Sequence, residues 1–314
     1  SREATFKDQK RRLLRLGQMG RKRCFLDLQV HRLECRKCSR RWWPPIPFAD
    51  GKHRYVRSFA LTVQDLLKFG TIQSVSAYLG VGWDLVKEIH KTRLSQIYRK
   101  IELRDVRYIG IDEFSIRKGH EYMTIFTDLK TGRILHAVEG RSKEDIRPFI
   151  EKLSRKAKKL KAIAMDMSNS YCLAVREWLP RVDIVFDRYH IMALMNNALD
   201  EIRRSQQKEL DKIGKQTLKG SRFLLLTNYA DLKPDRKARL DELLQANRPL
   251  FVAHSMKEQL RLFWEMNDLE TATEFLKVWC RDAMQSGIMA LAKVAKTLGA
   301  YRTGLLNYFK HFIT

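Results

Sequence analysis

The spacing of hydrophobic and polar residues changes twice along the chain and divides it into regions of different predicted structure. Residues 56–94 place apolar residues at helical spacing around a glycine-rich break, which predicts helices joined by a tight turn. From Val106 short β-branched and aromatic runs predict strands. Helical spacing resumes near residue 188 and continues to residue 314. Helix breakers near Gly220, Pro234 and Pro249 divide this last region into several helices.

The strand region has the order of a known α/β architecture. A buried strand is predicted within the stretch 108–120, and residues 121–128 and 133–138 flank a Lys-Thr-Gly turn, as in an antiparallel hairpin. Two further strands, 162–166 and 182–187, alternate with helices. Three antiparallel strands followed by βαβ units predict a ribonuclease-H-like fold.

Three of these strands carry an aspartate, which is unusual in buried strands. The three residues are Asp112, Asp166 and Asp187. Side-chain alternation puts Asp112 and Glu113 on opposite faces, so only one of them faces a given site. For any single aspartate a helix cap or a turn is the commoner role. Carboxylates converging from neighbouring strands nevertheless suit a two-metal site for phosphodiester chemistry, with Mg²⁺ or Mn²⁺ bound.

Charge indicates the partner. The chain has 61 Lys and Arg against 36 Asp and Glu, a formal net charge of +25, which favours a polyanion such as DNA. The sequence over 56–94 also has a helix-turn-helix pattern, in which residues 80–82 form the turn and Trp83 to Arg93 form the recognition helix. The alternatives are an ordinary helical hairpin and, for residues 1–23, a solvated basic tail. The predicted DNA contacts are Arg11, Arg12, Arg15, Arg21, Lys22 and Arg23 in the N-terminal segment, and Trp83, Lys87, Lys91 and Arg93 in the recognition helix.

The five cysteines favour a reducing compartment, because an odd and unevenly spaced set does not suit a disulfide framework. Cys35 and Cys38 form a CxxC pair on a predicted hairpin turn, which is half of a zinc site. Cys24, His31 and His53 are the nearby candidates for the remaining ligands. The sequence contains no signal peptide and no apolar run long enough to span a bilayer, so we expect a protein of the bacterial cytoplasm, associated with the nucleoid and not with a membrane. Because the chain opens with Ser1, we expect a fragment or a processed chain, with the other half of the zinc site lying upstream.

Three segments carry a specific resemblance: GIDEFSIRKGHEY from Gly110, AMDMSNSY from Ala164 and IVFDRYHIMALMNNALDEIRR from Ile184. They resemble the DDE transposases of bacterial insertion sequences, in particular the ISL-three (ISL3) group, and the resemblance covers nearly the whole chain. It implies that Asp112 and Asp166 are the first two catalytic acids and metal ligands.

The resemblance also assigns roles around these acids. Asp187 and His190 match the D-x-x-H segment of the family, in which the histidine contacts DNA near the cleaved phosphate or orients a metal ligand. A capping aspartate and a histidine on a helix face are the alternative. Glu113 is expected beside the site in a structural role.

The third catalytic acid is expected just after the segment 305–314, beyond the end of this chain, so that the chain itself is truncated. Glu265, Glu270 and Glu274 are the alternatives, on an amphipathic helix where solvent-facing glutamates are common.

The sequence therefore predicts an α/β protein: a ribonuclease-H-like core with a mostly helical insertion or C-terminal region, preceded by a cysteine-containing hairpin and a helix-turn-helix. The expected function is metal-dependent cleavage and transfer of transposon-end DNA by a homodimer that also binds target DNA. The main alternative is a catalytically inactive, truncated or domesticated DNA-binding protein. A structure-specific nuclease is a weaker alternative, because it would not need a helix-turn-helix. The predicted domains are 1–54, the basic segment and zinc-ribbon-like hairpin; 55–104, the helix-turn-helix; 105–206, the catalytic core; and 207–314, the helical insertion.

Overall fold

The computed structural model describes residues 4–117, 121–209 and 218–314. The chain forms two compact units, Ser1–Ile101 and Glu102–Thr314. Parts of two predictions lie outside the described residues: the end of the 108–120 stretch and residues 210–217 of the helical region. Among the helices described, none is long and apolar enough to cross a membrane. The boundaries of the four predicted domains stay a prediction.

The first unit begins with a long antiparallel hairpin. Strand β1 (Ala4–Met19) pairs with β2 (Lys22–Cys35) through a turn that contains Gly20 at φ +61°, a backbone conformation that favours glycine. The short strand β3 (Arg41–Trp42) then pairs with the end of β2.

Three helices complete this unit. They are α1 (Arg57–Leu66), α2 (Ile72–Leu79) and α3 (Trp83–Ile97). Gly80 takes a left-handed conformation at the end of α2, which lets the chain turn sharply into α3. The hairpin and the helices share one apolar core, to which Leu14, Phe59, Val63, Leu79 and Val86 contribute.

The second unit is built on a five-stranded mixed sheet. Its strands are β4 (Tyr108–Arg117), β5 (Glu121–Asp128), β6 (Arg133–Glu139), β7 (Ala162–Met165) and β8 (Asp183–Phe186). They lie in the order β6-β5-β4-β7-β8, with β4 to β6 antiparallel and β7 and β8 parallel to β4. The predicted mixed α/β class is confirmed, and all five strands fall within a residue or a few of their predicted positions.

Helices α4 (Lys143–Lys156) and α5 (Asn169–Trp178) connect the parallel strands. A capping box starts α4: the Ser142 hydroxyl accepts from the Asp145 N–H, and the Asp145 carboxylate accepts from the Ser142 N–H. Four apolar residues of α4 are buried: Ile146, Phe149, Ile150 and Leu153. The apolar face of this amphipathic helix is therefore buried.

Every secondary-structure element described after β8 is a helix, as predicted. The first helix is α6 (Arg188–Glu209). It is followed by α7 (Arg222–Leu226), α8 (Pro234–Ala246), α9 (Arg248–Leu262), α10 (Leu269–Gln285), α11 (Met289–Ala300), α12 (Arg302–Leu306) and α13 (Tyr308–His311). The predicted breakers lie at helix starts: Pro234 and Pro249 occupy the first turns of α8 and α9, where a proline loses no helical hydrogen bond.

The last helices cover β8, the edge strand of the sheet. The Asn307 amide donates to the Ile184 carbonyl at 2.9 Å, and Nε2 of His311 lies 2.9 Å from Oδ2 of Asp183. Gly304 packs directly against the ring of Phe186. The last helices thus cover the edge of the sheet that carries the candidate site.

Candidate active site

Strand register brings three aspartates into one row. The β4–β7 ladder pairs Tyr108 with Ala162 and Gly110 with Ala164, and the same offset places Asp112 level with Asp166. The β7–β8 ladder pairs Met165 with Phe186, so Asp166 lies level with Asp187. Adjacent strands are about 4.8 Å apart, so Asp112 and Asp166 lie side by side at the carboxyl edge of the parallel strands.

The surroundings of Asp166 shift the pKa of its carboxyl group. It is half-buried, and burial raises its pKa, with further increases from the charges of Glu113 and Asp112. A hydrogen bond from the Ser168 N–H at 3.0 Å and the proximity of His190 act in the opposite direction. A carboxylate that repels its neighbours in this way favours a bound cation.

Asp112 is exposed, and its Oδ1 accepts a hydrogen bond from the Glu113 N–H at 2.8 Å. Glu113 itself is held by a buried network. Its Oε2 accepts from the Tyr171 hydroxyl at 2.9 Å, and Tyr171 lies 3.0 Å from the Thr124 hydroxyl. Arg141 forms an ion pair with Oε1 of Glu113 at 3.3 Å. The orientation of Glu113 is therefore fixed by Tyr171 of α5 and by Arg141, which follows β6.

Sequence reasoning named Glu113 but did not identify the other residues of its network, Tyr171, Thr124 and Arg141. Tyr171 lies in the segment that carries the resemblance, but a tyrosine on a helix face gives no sign of its hydroxyl partner. In the structure, burial and the Glu113 bond raise the pKa of Tyr171, so its hydroxyl stays protonated and donates.

Asp187 sits at the start of α6 as a cap. Its Oδ1 accepts from the Tyr189 N–H at 2.8 Å and from the Thr314 hydroxyl at 3.1 Å. The capping alternative considered above therefore describes the Asp187 hydrogen bonds. His190, one turn later, is half-buried and close enough to Asp166 to affect its charge.

The residues fit a divalent metal in part. Asp112 and Asp166 offer carboxylate oxygens, which Mg²⁺ and Mn²⁺ prefer. Within the described residues, however, no group of three or more His, Cys, Asp or Glu side chains converges as a metal site. Glu265, Glu270 and Glu274 are exposed, and Glu274 forms an ion pair with Lys277.

The cysteine pair lies at the β2–β3 turn, with Cys35 at the end of β2 and Cys38 within the turn. Backbone N–H groups of Cys38 and Lys37 donate toward the Cys35 sulfur and lower the pKa of its thiol, which favours the thiolate that binds metals. In the ranges described, no third ligand joins the pair.

The predicted DNA contacts of the first unit are mostly at its surface. The exposed ones are Arg11, Arg21, Lys22, Arg23, Trp83, Lys87, Lys91 and Arg93. Arg11 forms an ion pair with Asp27, and the Lys87 ammonium lies 4.8 Å from the Trp83 ring. Half-buried Arg12 donates to the carbonyls of Gly51 and His53, at 3.1 and 2.6 Å.

Arg15 differs from the other predicted contacts. Only 4% of it is exposed, and its guanidinium donates to the Leu79 carbonyl at 3.2 Å and lies over the Phe25 and Phe59 rings. This arginine joins the hairpin to α2, so the prediction that it contacts DNA needs correction. Arg15 is buried because the chain before α1 lies against β1 at this point: the Arg15 N–H donates to the Arg54 carbonyl at 2.8 Å, and the Val56 N–H donates to the Arg15 carbonyl at 3.1 Å.

Comparison with known proteins places the chain among transposases. A transposase family model, the DDE type of the ISL3 group, matches residues 109–314. The transposase for insertion sequence element IS1001 of Bordetella parapertussis is 32% identical over 293 residues, which cover 92% of this chain and 72% of that protein. The transposase for IS1557 of Mycobacterium tuberculosis is 23% identical over 285 residues, 83% of this chain and 64% of that protein. The Drosophila P element transposase strand transfer complex superimposes over 81% of this chain and 80% of that one, with a TM-score of 0.40 and 10% identity, which is too loose to establish a shared fold.

Proposed function

The chain belongs to the ISL3 group of DDE transposases, and from this premise we propose that it cleaves DNA at the ends of an insertion sequence and joins the freed strands to target DNA. The observation that carries the proposal is the strand register that sets Asp112 level with Asp166 on neighbouring parallel strands.

We propose that the sheet of the second unit is a ribonuclease-H-like core. The strand order, with three antiparallel strands followed by two parallel strands reached through helices, supports this reading. The helices from α7 onward form the helical region of the sequence prediction. The first unit, with its hairpin and the α2–α3 pair, would bind DNA.

In the proposed reaction, Asp112 and Asp166 would hold the divalent metal that these transposases require. A bound Mg²⁺ or Mn²⁺ would supply Lewis-acid chemistry for an in-line displacement at the phosphate. The protein contributes position and charge. Half-burial of Asp166 strengthens its attraction for a cation, and the Tyr171 hydroxyl and Arg141 keep Glu113 in one orientation beside it. His190 would meet the DNA strand next to Asp166.

DNA binding is proposed for the exposed basic residues of the hairpin and for α3 as a recognition helix, without Arg15. Because such contacts release counterions, duplex affinity should fall steeply as salt is raised. Two element ends have to be held together during transfer, which supports a homodimer. Zinc stays a prediction: Cys35 and Cys38 would supply two of four ligands, and metal analysis of the protein and of Cys35→Ser tests it.

The test is metal-dependent cleavage of a duplex that carries the element's ends. We expect Asp112→Asn and Asp166→Asn each to reduce cleavage by about a thousandfold or more while duplex affinity is retained. Asp235→Asn, an exposed aspartate in the first turn of α8, is the matched control and should cleave normally. Cleavage that survives both substitutions would exclude the two-aspartate site.

The second candidate function is end-specific DNA binding without catalysis. It is favoured by the observation that, over the described ranges, no third acidic side chain converges with Asp112 and Asp166 closely enough to share a metal ion. This function predicts salt-dependent binding to the ends and no cleavage with either metal, whether or not the aspartates are replaced.

A further inference from the structure

A cavity lies beside the row of aspartates in the second unit. Its volume is about 420 Å³, within the range of small-ligand sites. Its lining comes from Asp187 and α6, from the end of α7 and the turn after it, from α9, and from Thr314.

Two polar atoms of this lining have no hydrogen-bond partner in the part of the chain that the structure describes. They are Nη1 of Arg261 and Oδ1 of Asn196, and both are buried. An unpaired buried donor or acceptor costs about 1–3 kcal/mol, so two in one cavity call for a polar ligand that can both accept and donate. An apolar ligand would leave both unpaired.

The charge of the lining favours an anion. Three cationic side chains, Arg188, Lys257 and Arg261, face a single carboxylate, that of Asp187. Lys257 is already committed, because its ammonium donates to the Leu225 and Thr227 carbonyls at 2.9 Å each and to Glu258 at 2.8 Å. The Arg188 guanidinium lies over the Trp264 ring, 5.1 Å from its centroid, an arrangement that leaves its N–H groups able to donate, and Nη1 of Arg261 is unpaired within the described residues. The two arginines can therefore bind a ligand, and guanidinium groups suit phosphate oxygens.

Apolar and aromatic side chains also line the cavity. Met192 and Leu226 offer flat apolar surface, and the Tyr189 ring is 74% exposed and so available for stacking. An aromatic ring, amide side chains and guanidinium groups together match a base and its phosphate. A metal cation is disfavoured by the same arginines.

We propose that this cavity binds a single nucleotide of a DNA strand, immediately beside the position of strand cleavage. The inference rests on the proposed function and deepens it. Asp187 belongs both to the cavity wall and to the row with Asp112 and Asp166, so a strand lying across those two aspartates reaches the cavity within a nucleotide or so. Asn196 would hydrogen-bond the base edge and Arg261 the phosphate.

The experiment compares two fluorescent duplexes of the same sequence, one blunt and one with a short single-stranded overhang, on the full chain. We expect the overhang to bind more tightly than the blunt duplex, and Arg261→Gln to reduce that gain by about tenfold. Asn196→Asp keeps the side-chain shape but adds a charge that repels phosphate, and should have the same effect. Arg236→Gln is the matched control, since it removes the same charge from an exposed position on α8.

Blunt-duplex affinity and Asp112-dependent cleavage report on the proposed function separately, and neither is the readout for the cavity. Thermal unfolding checks that each variant is folded. If Arg261→Gln does not fold, Asn196→Asp provides the test in its place. A deoxynucleoside monophosphate should remove the overhang gain by competition, whereas inorganic phosphate at matched ionic strength should not. Equal gains in all variants, or full competition by inorganic phosphate, would overturn the nucleotide assignment.

Discussion

The hydrogen bond between Tyr171 and Glu113 should make a measurable, specific contribution to stability. Tyr171 is 1% exposed and donates to the Glu113 carboxylate at 2.9 Å. Tyr171→Phe fills the same space and removes only the hydroxyl. A hydrogen bond to a charged group contributes about 1.5–3 kcal/mol. Because the Glu113 side chain is 26% exposed, we take the lower end, about 1.5 kcal/mol.

The assay is a double-mutant cycle in unfolding free energy, with Tyr171→Phe, Glu113→Ala and the double variant. We expect a coupling energy of about 1.5 kcal/mol, and for Tyr171→Phe a fall in melting temperature of roughly 3–6 °C. Tyr301→Phe is the control, because Tyr301 is a half-buried tyrosine of the same unit that packs its ring on Phe186. A coupling energy within about 0.3 kcal/mol of zero would refute the reasoning.

Three further predictions concern the same unit. Asp166→Asn should raise the melting temperature of the metal-free protein at neutral pH, because the raised folded-state pKa of Asp166 means that its ionised form opposes folding. This cost disappears as pH falls through the raised pKa, so unfolding followed from pH 7 to about pH 4 should show the gain shrinking, and a pH-independent gain would contradict the reasoning. Lys257→Met should cost about 3 kcal/mol in urea unfolding, because it leaves the carbonyls after α7 unpaired, whereas exposed Lys233→Met should cost nothing measurable. Gly304→Ala should cost about 1–3 kcal/mol and slow cleavage, because a methyl group there overlaps the Phe186 ring next to Asp187, and unchanged cleavage would show that β8 tolerates the shift.

The sequence predicted the features that depend on local backbone conformation. Apolar runs located the five strands, and Gly80 and the prolines at 234 and 249 located helix ends, because backbone conformation restricts these residues locally. The row of aspartates was also within reach, since each aspartate follows or sits in a predicted strand.

Long-range packing set the limit. The sequence did not show that Arg15 is buried, because it lies among other basic residues. Its burial depends on the Leu79 carbonyl and on the rings of Phe25 and Phe59, which lie elsewhere in the chain. The bond between Tyr171 and Glu113, 58 positions apart, and the cavity between α6 and α9 depend likewise on how helices pack on the sheet, which no local pattern encodes.

The covering of β8 by α12 and α13 has a consequence for how the protein is made. The strand ends at Phe186, while the groups that cover its edge, Gly304, Asn307 and His311, follow about 120 residues later. At about 5–20 residues per second a ribosome needs roughly 6–25 s to synthesise that interval. During this time the sheet has an open, apolar edge strand, the feature through which chains most readily associate with one another. Newly made molecules should therefore depend on chaperones until the last helices emerge, and the row of aspartates cannot reach its final geometry before then.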